Sequence, residues 1–260
     1  MLVAALVLAF CGSDERPGGL SSLSLPGWDA RTATVYETRT GEIENIALSA
    51  RTQFAIGAVT HVLAYHVRHL WTVDLHDGEA EFSQRDTSES LLVHAAGAVM
   101  VATDASFNVY SEPDVLVVTV ITGVVDVEVY PAYWRGAEAS EVVKTVVLRG
   151  GQGMTYHVFT REMDVGVGDV ARATAWRRGR LEYLQVPLCR VIDDVNRYSS
   201  FRVELDSRAE DLLYSGSIIL TRVESWTKAL PLILPVRTEA LAGGLGWRVV
   251  RKNSDPSIRG

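Results

Sequence analysis

ARATAWRRGRLEYLQVPLCRVIDDVNRY, residues 171–198, holds a strand, a proline-opened helix and a helix stop in one run. After Pro187, apolar side chains fall at Leu188, Val191, Ile192 and Val195, the i, i+3, i+4, i+7 face of a single helix. Proline suits a helix start, because the first turn has no intrahelical partner for an N–H. The reading is therefore a strand over Arg180–Gln185 and a helix over Leu188–Tyr198. Downstream follow strands Phe201–Leu205 and Tyr214–Leu220, a helix Val223–Ile233, a strand Val236–Leu241 and a further strand Trp247–Val250. Phe201, Val203 and Leu205 alternate with Arg202 and Glu204, the period of a half-buried strand. Pro231 should end or kink the second helix near Leu230. Residues 175–251 thus read as a small βαββαβ module.

Upstream the pattern changes to period two. Short apolar-alternating runs occur at Thr32–Glu37, Glu42–Leu48, Thr52–Ile56, His61–His66, Leu70–Leu75 and Leu91–Ala95. They continue at Val99–Thr103, Ser106–Tyr110, Val142–Leu148 and Met154–Val158. Val115–Ile121 and Val124–Tyr130, separated by Thr122-Gly123, read as a β-hairpin. In its second arm Val125, Val127 and Val129 face one side, Asp126 and Glu128 the other. Strands this short between turn residues point to a sandwich or β-roll over residues 31–165. The fold class is mainly β with a small α/β module.

The chain of 260 residues and 28.5 kDa is long enough for one or two cored domains. Hydrophobic residues make up 47% and charged ones 22%, which excludes extended disorder. A net charge of −7 and a pI near 5.4 argue against nucleic-acid binding, since such domains are usually basic. Two cysteines, Cys11 and Cys189, lie in different parts of the chain and predict no disulfide framework. Met1–Phe10 is an unbroken apolar run, shorter than the roughly 20 residues a spanning helix needs. Residues 1–11 read as the remnant of a membrane-spanning segment, residues 12–30 as a Gly/Ser/Pro linker, and residues 252–260 as a tail.

Chemistry is hard to find. His61, His66 and His69 crowd into THVLAYHVRHLW and invite a metal reading, but His61 and His66 have opposite strand parity. They are expected as exposed strand histidines, with no metal ligand set and no cofactor. No Gly-x-Ser-x-Gly elbow, phosphate loop or Cys-x-x-Cys occurs, so no catalytic residues are assigned. Gly166-Val167-Gly168-Asp169 reads as a loop between modules, and Asp193-Asp194 as a solvated pair on the polar side of its helix. Arg172, Arg177, Arg178 and Arg180 form a basic cluster, either solvated edge charge or a dock for an acidic surface.

Several motifs together resemble the FecR family of transmembrane anti-sigma regulators. They are Leu75-His76-Asp77-Gly78-Glu79-Ala80-Glu81-Phe82, then Phe107-Asn108-Val109, then Val118-Thr119-Val120-Ile121-Thr122-Gly123-Val124-Val125-Asp126-Val127. Gly150-Gly151-Gln152 matches a late Gly-Gln turn, while Asp104-Ala105 replaces the usual Gly-Thr. Trp176–Tyr183 resembles the join between the family's two periplasmic modules, and the C-terminal part its secretin/TonB short N-terminal-like module. The resemblance implies no enzyme but a periplasmic signal receiver, anchored to the inner membrane. Its partners would be the periplasmic signalling domain of a TonB-dependent outer-membrane receptor and an extracytoplasmic-function sigma factor, reached through a cytoplasmic domain outside this chain, in iron, siderophore or nutrient uptake. An exposed strand edge in the module would take the partner, with Phe201, Val203, Leu205, Tyr214, Ile218, Leu220, Arg177 and Arg178 as docking residues. The competing reading is a β domain that binds carbohydrate or metal, or an enzyme of another kind.

Overall fold

The computed structural model describes residues 33–67, 70–85, 89–130, 144–244 and 246–252. Residues 1–11, the linker and the tail beyond Lys252 lie outside them. So do His69 and the start of the strand expected at Val142. Among the described residues no helix is long and apolar enough to cross a membrane.

Among the described residues eleven strands form one sheet system: β1 (Thr34–Glu37), β2 (Glu44–Ala47), β3 (Thr52–Ile56), β4 (His61–Val67), β5 (Leu70–Gln84), β6 (Ser90–Ala95), β7 (Ala98–Ser111), β8 (Val115–Val129), β9 (Lys144–Arg149), β10 (Gln152–His157) and β11 (Glu162–Val167). Three are far longer than the sequence pattern predicts, and the reason is local. β5 has 15 residues, so a straight strand would be about 46 Å long. Yet β6 starts six residues after Gln84 and lies parallel to β5 with Ser90 beside Leu70, a reach of at most about 21 Å. β5 must therefore double back, and it does so at Gly78, whose φ is +105°. A Cβ there would meet Thr60. Before the bend β5 pairs with β4 and β6; after it, with β3 and β7.

The expected hairpin at Thr122-Gly123 is absent. Val115–Val129 is one strand, β8, paired along its length with β7. Gly123 has φ +79° and a Cβ on it would meet the Asp104 carbonyl oxygen. Asp104 itself takes φ +52°, so Val99–Thr103 and Ser106–Tyr110 likewise join into one bent strand, with the ladder shifting register there. A Gly between two valine runs marks a bulge here rather than a turn. The folded-over layers enclose Phe82 and Phe107, stacked at 5.3 Å, with Phe54 at 5.7 Å from Phe82. Val109, Val118, Val125, Val127 and Val129 are fully buried around them. Asp126 faces outward, as the alternation requires. β11 runs through Gly166 and Val167, so the predicted loop begins only at Gly168.

The second unit comprises Arg39–Ile43, Gly57–Val59 and everything from Ala171. A one-turn helix, α1 (Val170–Ala173), and a 3-10 turn at Ala175–Arg178 bury Trp176. Then come β12 (Arg180–Pro187), α2 (Leu188–Tyr198), β13 (Arg202–Leu205), β14 (Leu213–Ile219), α3 (Val223–Ala229), β15 (Val236–Ala240) and β16 (Gly246–Arg251). α2 buries Leu188, Val191, Ile192, Val195 and Tyr198, the first four being the predicted face. Each of those four stabilises the module by roughly 1.5–3 kcal/mol. The first free N–H groups of α2 are taken by the chain before β14: Leu188 donates to Leu212 O (2.7 Å) and Cys189 to Glu210 O (3.3 Å). α3 stops at Ala229 and passes into a 3-10 turn around Pro231, shorter than the predicted Val223–Ile233. The strands form two sheets, β12–β14 antiparallel and β13–β16–β15 mixed.

Candidate partner-docking surface

The expected docking residues do not share a surface. β13 and β14 belong to different sheets. Val203, Tyr214 and Ile218 point into the core at 1%, 4% and 1% exposure, while Phe201, Leu205 and Leu220 are half-buried. Parity decides this: on β14 the even positions face inward, leaving Leu213, Ser215, Ser217 and Ile219 outside. Leu213 and Ile219 are exposed apolar residues, as is Leu184 on β12. Arg177 and Arg178 are exposed as predicted.

The edges differ in what they can accept. Val203 N–H donates to Asn196 Oδ1 and Val203 O accepts from Asn196 Nδ2, both at 2.9 Å. Asp206 N–H donates to Val249 O on β16, so by alternation the Val203 backbone groups face the outer edge of β13. The Asn196 amide thus occupies the two bonds that an added strand would make. The outer edge of β12 is broken by a register shift at Tyr183–Val186, with Gln185 at φ +54°, and closed by Pro187. Bulges and prolines deter strand addition.

β14 has neither device. Leu220 N–H donates to Gly179 O, which fixes the ladder phase: Ile218 and Gly216 exchange bonds with β12, and Ser217 and Ile219 turn their backbone groups away. No strand lies beyond β14 among the described residues. Beneath it runs a chain of aromatics. Trp226 Nε1 donates to Tyr214 Oη at 3.0 Å, and Tyr214 packs edge-on against Trp226 (5.7 Å) and Tyr183 (6.0 Å). Tyr183 Oη donates to Asp194 Oδ2 at 3.0 Å, so Asp194 is a structural acceptor and not a solvated charge. Burial raises the Tyr214 pKa above its usual value. A Cβ on Gly216 would strike the Tyr214 ring end, so glycine is required there.

The two units also differ in charge. Residues 33–169 hold nineteen Asp and Glu against eight Lys and Arg, a formal −11. Residues 170–252 hold nine against fourteen, a formal +5. Around the β12–β14 sheet, Arg180 lies opposite Ile219 and bonds Ser217 Oγ at 2.8 Å, while Arg222 is exposed just after β14.

Strand pairing brings Asp77 to His61 (2.8 Å) and Asp74 to His94, carboxylates the linear spacing could not reveal. His66 carries a buried Nε2, so it is not the exposed strand histidine predicted, and the Nε2 of His94 is buried as well. No cluster of three or more ligating side chains occurs among the described residues.

The architecture is therefore a two-unit β and α/β scaffold in which the β14 edge has no strand beyond it among the described residues. Residues 34–126 match the family model described as FecR protein, and that stretch is a FecR domain. Two crystal structures of a candidate anti-sigma factor from Parabacteroides distasonis, at 2.50 and 1.65 Å resolution, share the fold. Their TM-scores are 0.72 and 0.71 at 22% identity, over 85% of this chain and 100% of theirs. No curated protein matches the chain.

Proposed function

We propose that this chain is the signal-receiving part of a sigma-factor regulator and acts by binding rather than catalysis. The FecR domain and the likeness to a candidate anti-sigma factor support that class. In this reading the chain lies in the periplasm on an inner-membrane anchor. It couples a TonB-dependent outer-membrane receptor to an extracytoplasmic-function sigma factor during iron, siderophore or nutrient uptake. The observation that carries the docking step is the open β14 edge beside two guarded ones. A partner strand added there gains main-chain hydrogen bonds for affinity, with Leu213, Ile219 and Leu184 giving side-chain contacts. The +5 module draws acidic partners electrostatically.

Titration of the whole chain with periplasmic signalling domains of candidate TonB-dependent receptors tests this. One of them should bind at micromolar Kd or tighter. Ser217→Pro, which removes an outward N–H without touching the β12 ladder, should weaken it at least tenfold while leaving the thermal melt unchanged. Absence of binding to any receptor domain, or indifference to Ser217→Pro, would overturn the proposal.

A further inference from the structure

The β unit carries a cavity that docking at β14 does not use. β1 pairs with β4 so that Thr34 lies opposite Ala64, and β4 pairs with β5 so that His66 lies opposite Trp71. Thr34, Tyr36, His66 and Trp71 consequently fall on one face of the sheet. Ser49, beyond β2, and Glu89, before β6, close a space of about 340 Å³ over them, within the range of small-molecule sites.

Its lining has a definite character. Among the described residues two aromatic rings, an imidazole, hydroxyls and a single carboxylate meet there, with no Lys or Arg. The His66 ring sits 4.5 Å from that of Trp71, and its Nε2 is buried without a hydrogen-bond partner. The Glu89 carboxylate has no ion-pair partner among the described residues. The unit around it has a formal charge of −11, which concentrates cations at its clefts.

We propose that this cavity binds a small organic cation, an alkylammonium or guanidinium head. The charge would lie against the π-faces of Trp71 and Tyr36 and opposite the Glu89 carboxylate. A ligand N–H would donate to the Glu89 carboxylate. The site is distinct from the β14 edge, so each reading can fail without the other.

Isothermal titration of the whole 260-residue chain with n-butylammonium, with ethylguanidinium and with glucose as a neutral ring polyol decides the matter. At least one cation should bind saturably with millimolar Kd or tighter, and glucose should not. Glu89→Gln should weaken the cation at least tenfold, and Trp71→Leu should do the same, with far-UV circular dichroism unchanged. Should Trp71→Leu misfold, the isosteric Glu89→Gln still decides. Ser217→Pro should leave cation binding as it was. No saturable cation binding, equal binding by Glu89→Gln, or glucose binding in place of either cation would overturn the assignment.

Discussion

The β unit and the C-terminal module solve the problem of exposed strand edges in different ways. In the β unit, β5, β7 and β8 bend at Gly78, Asp104 and Gly123, so β5 pairs with four strands and β7 and β8 with three each, while among the described residues β1, β2, β9 and β11 keep one neighbour. In the module the strands are short and split between two sheets, and individual side chains manage the edges. Asn196 caps β13, a bulge and Pro187 spoil β12, and among the described residues β14 and β15 each keep one strand neighbour and neither device. An unguarded edge is a liability in a protein that must stay monomeric. The docking role proposed above would give the β14 edge a use. The charges divide in the same way, −11 on one side and +5 on the other.

The contrast can be broken most severely at Val191, fully buried on α2. Val191→Asp puts an unpaired carboxylate in the module core and should cost more than about 4 kcal/mol. Calorimetry should lose the module's transition and keep that of the β unit; an unchanged melt would show that α2 does not hold the module together. Gly78→Ala strikes the other unit. It combines a positive φ with a clash against Thr60 and should cost about 2–4 kcal/mol, read from urea unfolding of the β unit alone.

Tyr214→Phe is gentler. It deprives Trp226 Nε1 of its acceptor and should cost the module about 1–2 kcal/mol, visible as a lower midpoint of its own transition. The smallest effect is alkaline. Burial, with Asp74 second, raises the Tyr65 pKa well above 10, and burial together with Glu128 raises Tyr130 to about 12. A raised folded-state pKa means that stability is whole below pH 10 and is lost as the pH climbs through about 12. The paired Tyr65→Phe and Tyr130→Phe substitutions should flatten that decline in the β unit. The module should still soften through Tyr214, whose pKa is raised as well.

The module was largely legible in its sequence. The α2 boundaries, the stop near Leu230 and the strand order follow from a 3.6-residue apolar period, two prolines and alternation. Local rules sufficed because the elements are short and begin and end on their own residues. The β unit yielded its strand positions and inward faces, with Phe82, Phe107 and Val109 all buried. It did not yield its corners, since a glycine between valine runs looks the same whether the chain reverses or only bends. The docking residues were misplaced for a similar reason. Apolar side chains on β14 signal the core, so choosing Tyr214 and Ile218 chose the wrong face.

What the sequence determined by itself was the class of each half, the helix faces, the family resemblance and the charge carried by each segment. All are properties of residues near one another along the chain. Only the tertiary structure decided which strand edge is open, that Asn196 rather than a strand pairs with Val203, and that Tyr36, His66, Trp71 and Glu89 surround one cavity. Those facts depend on residues far apart in sequence meeting at hydrogen-bond and van der Waals distances, which no local pattern encodes.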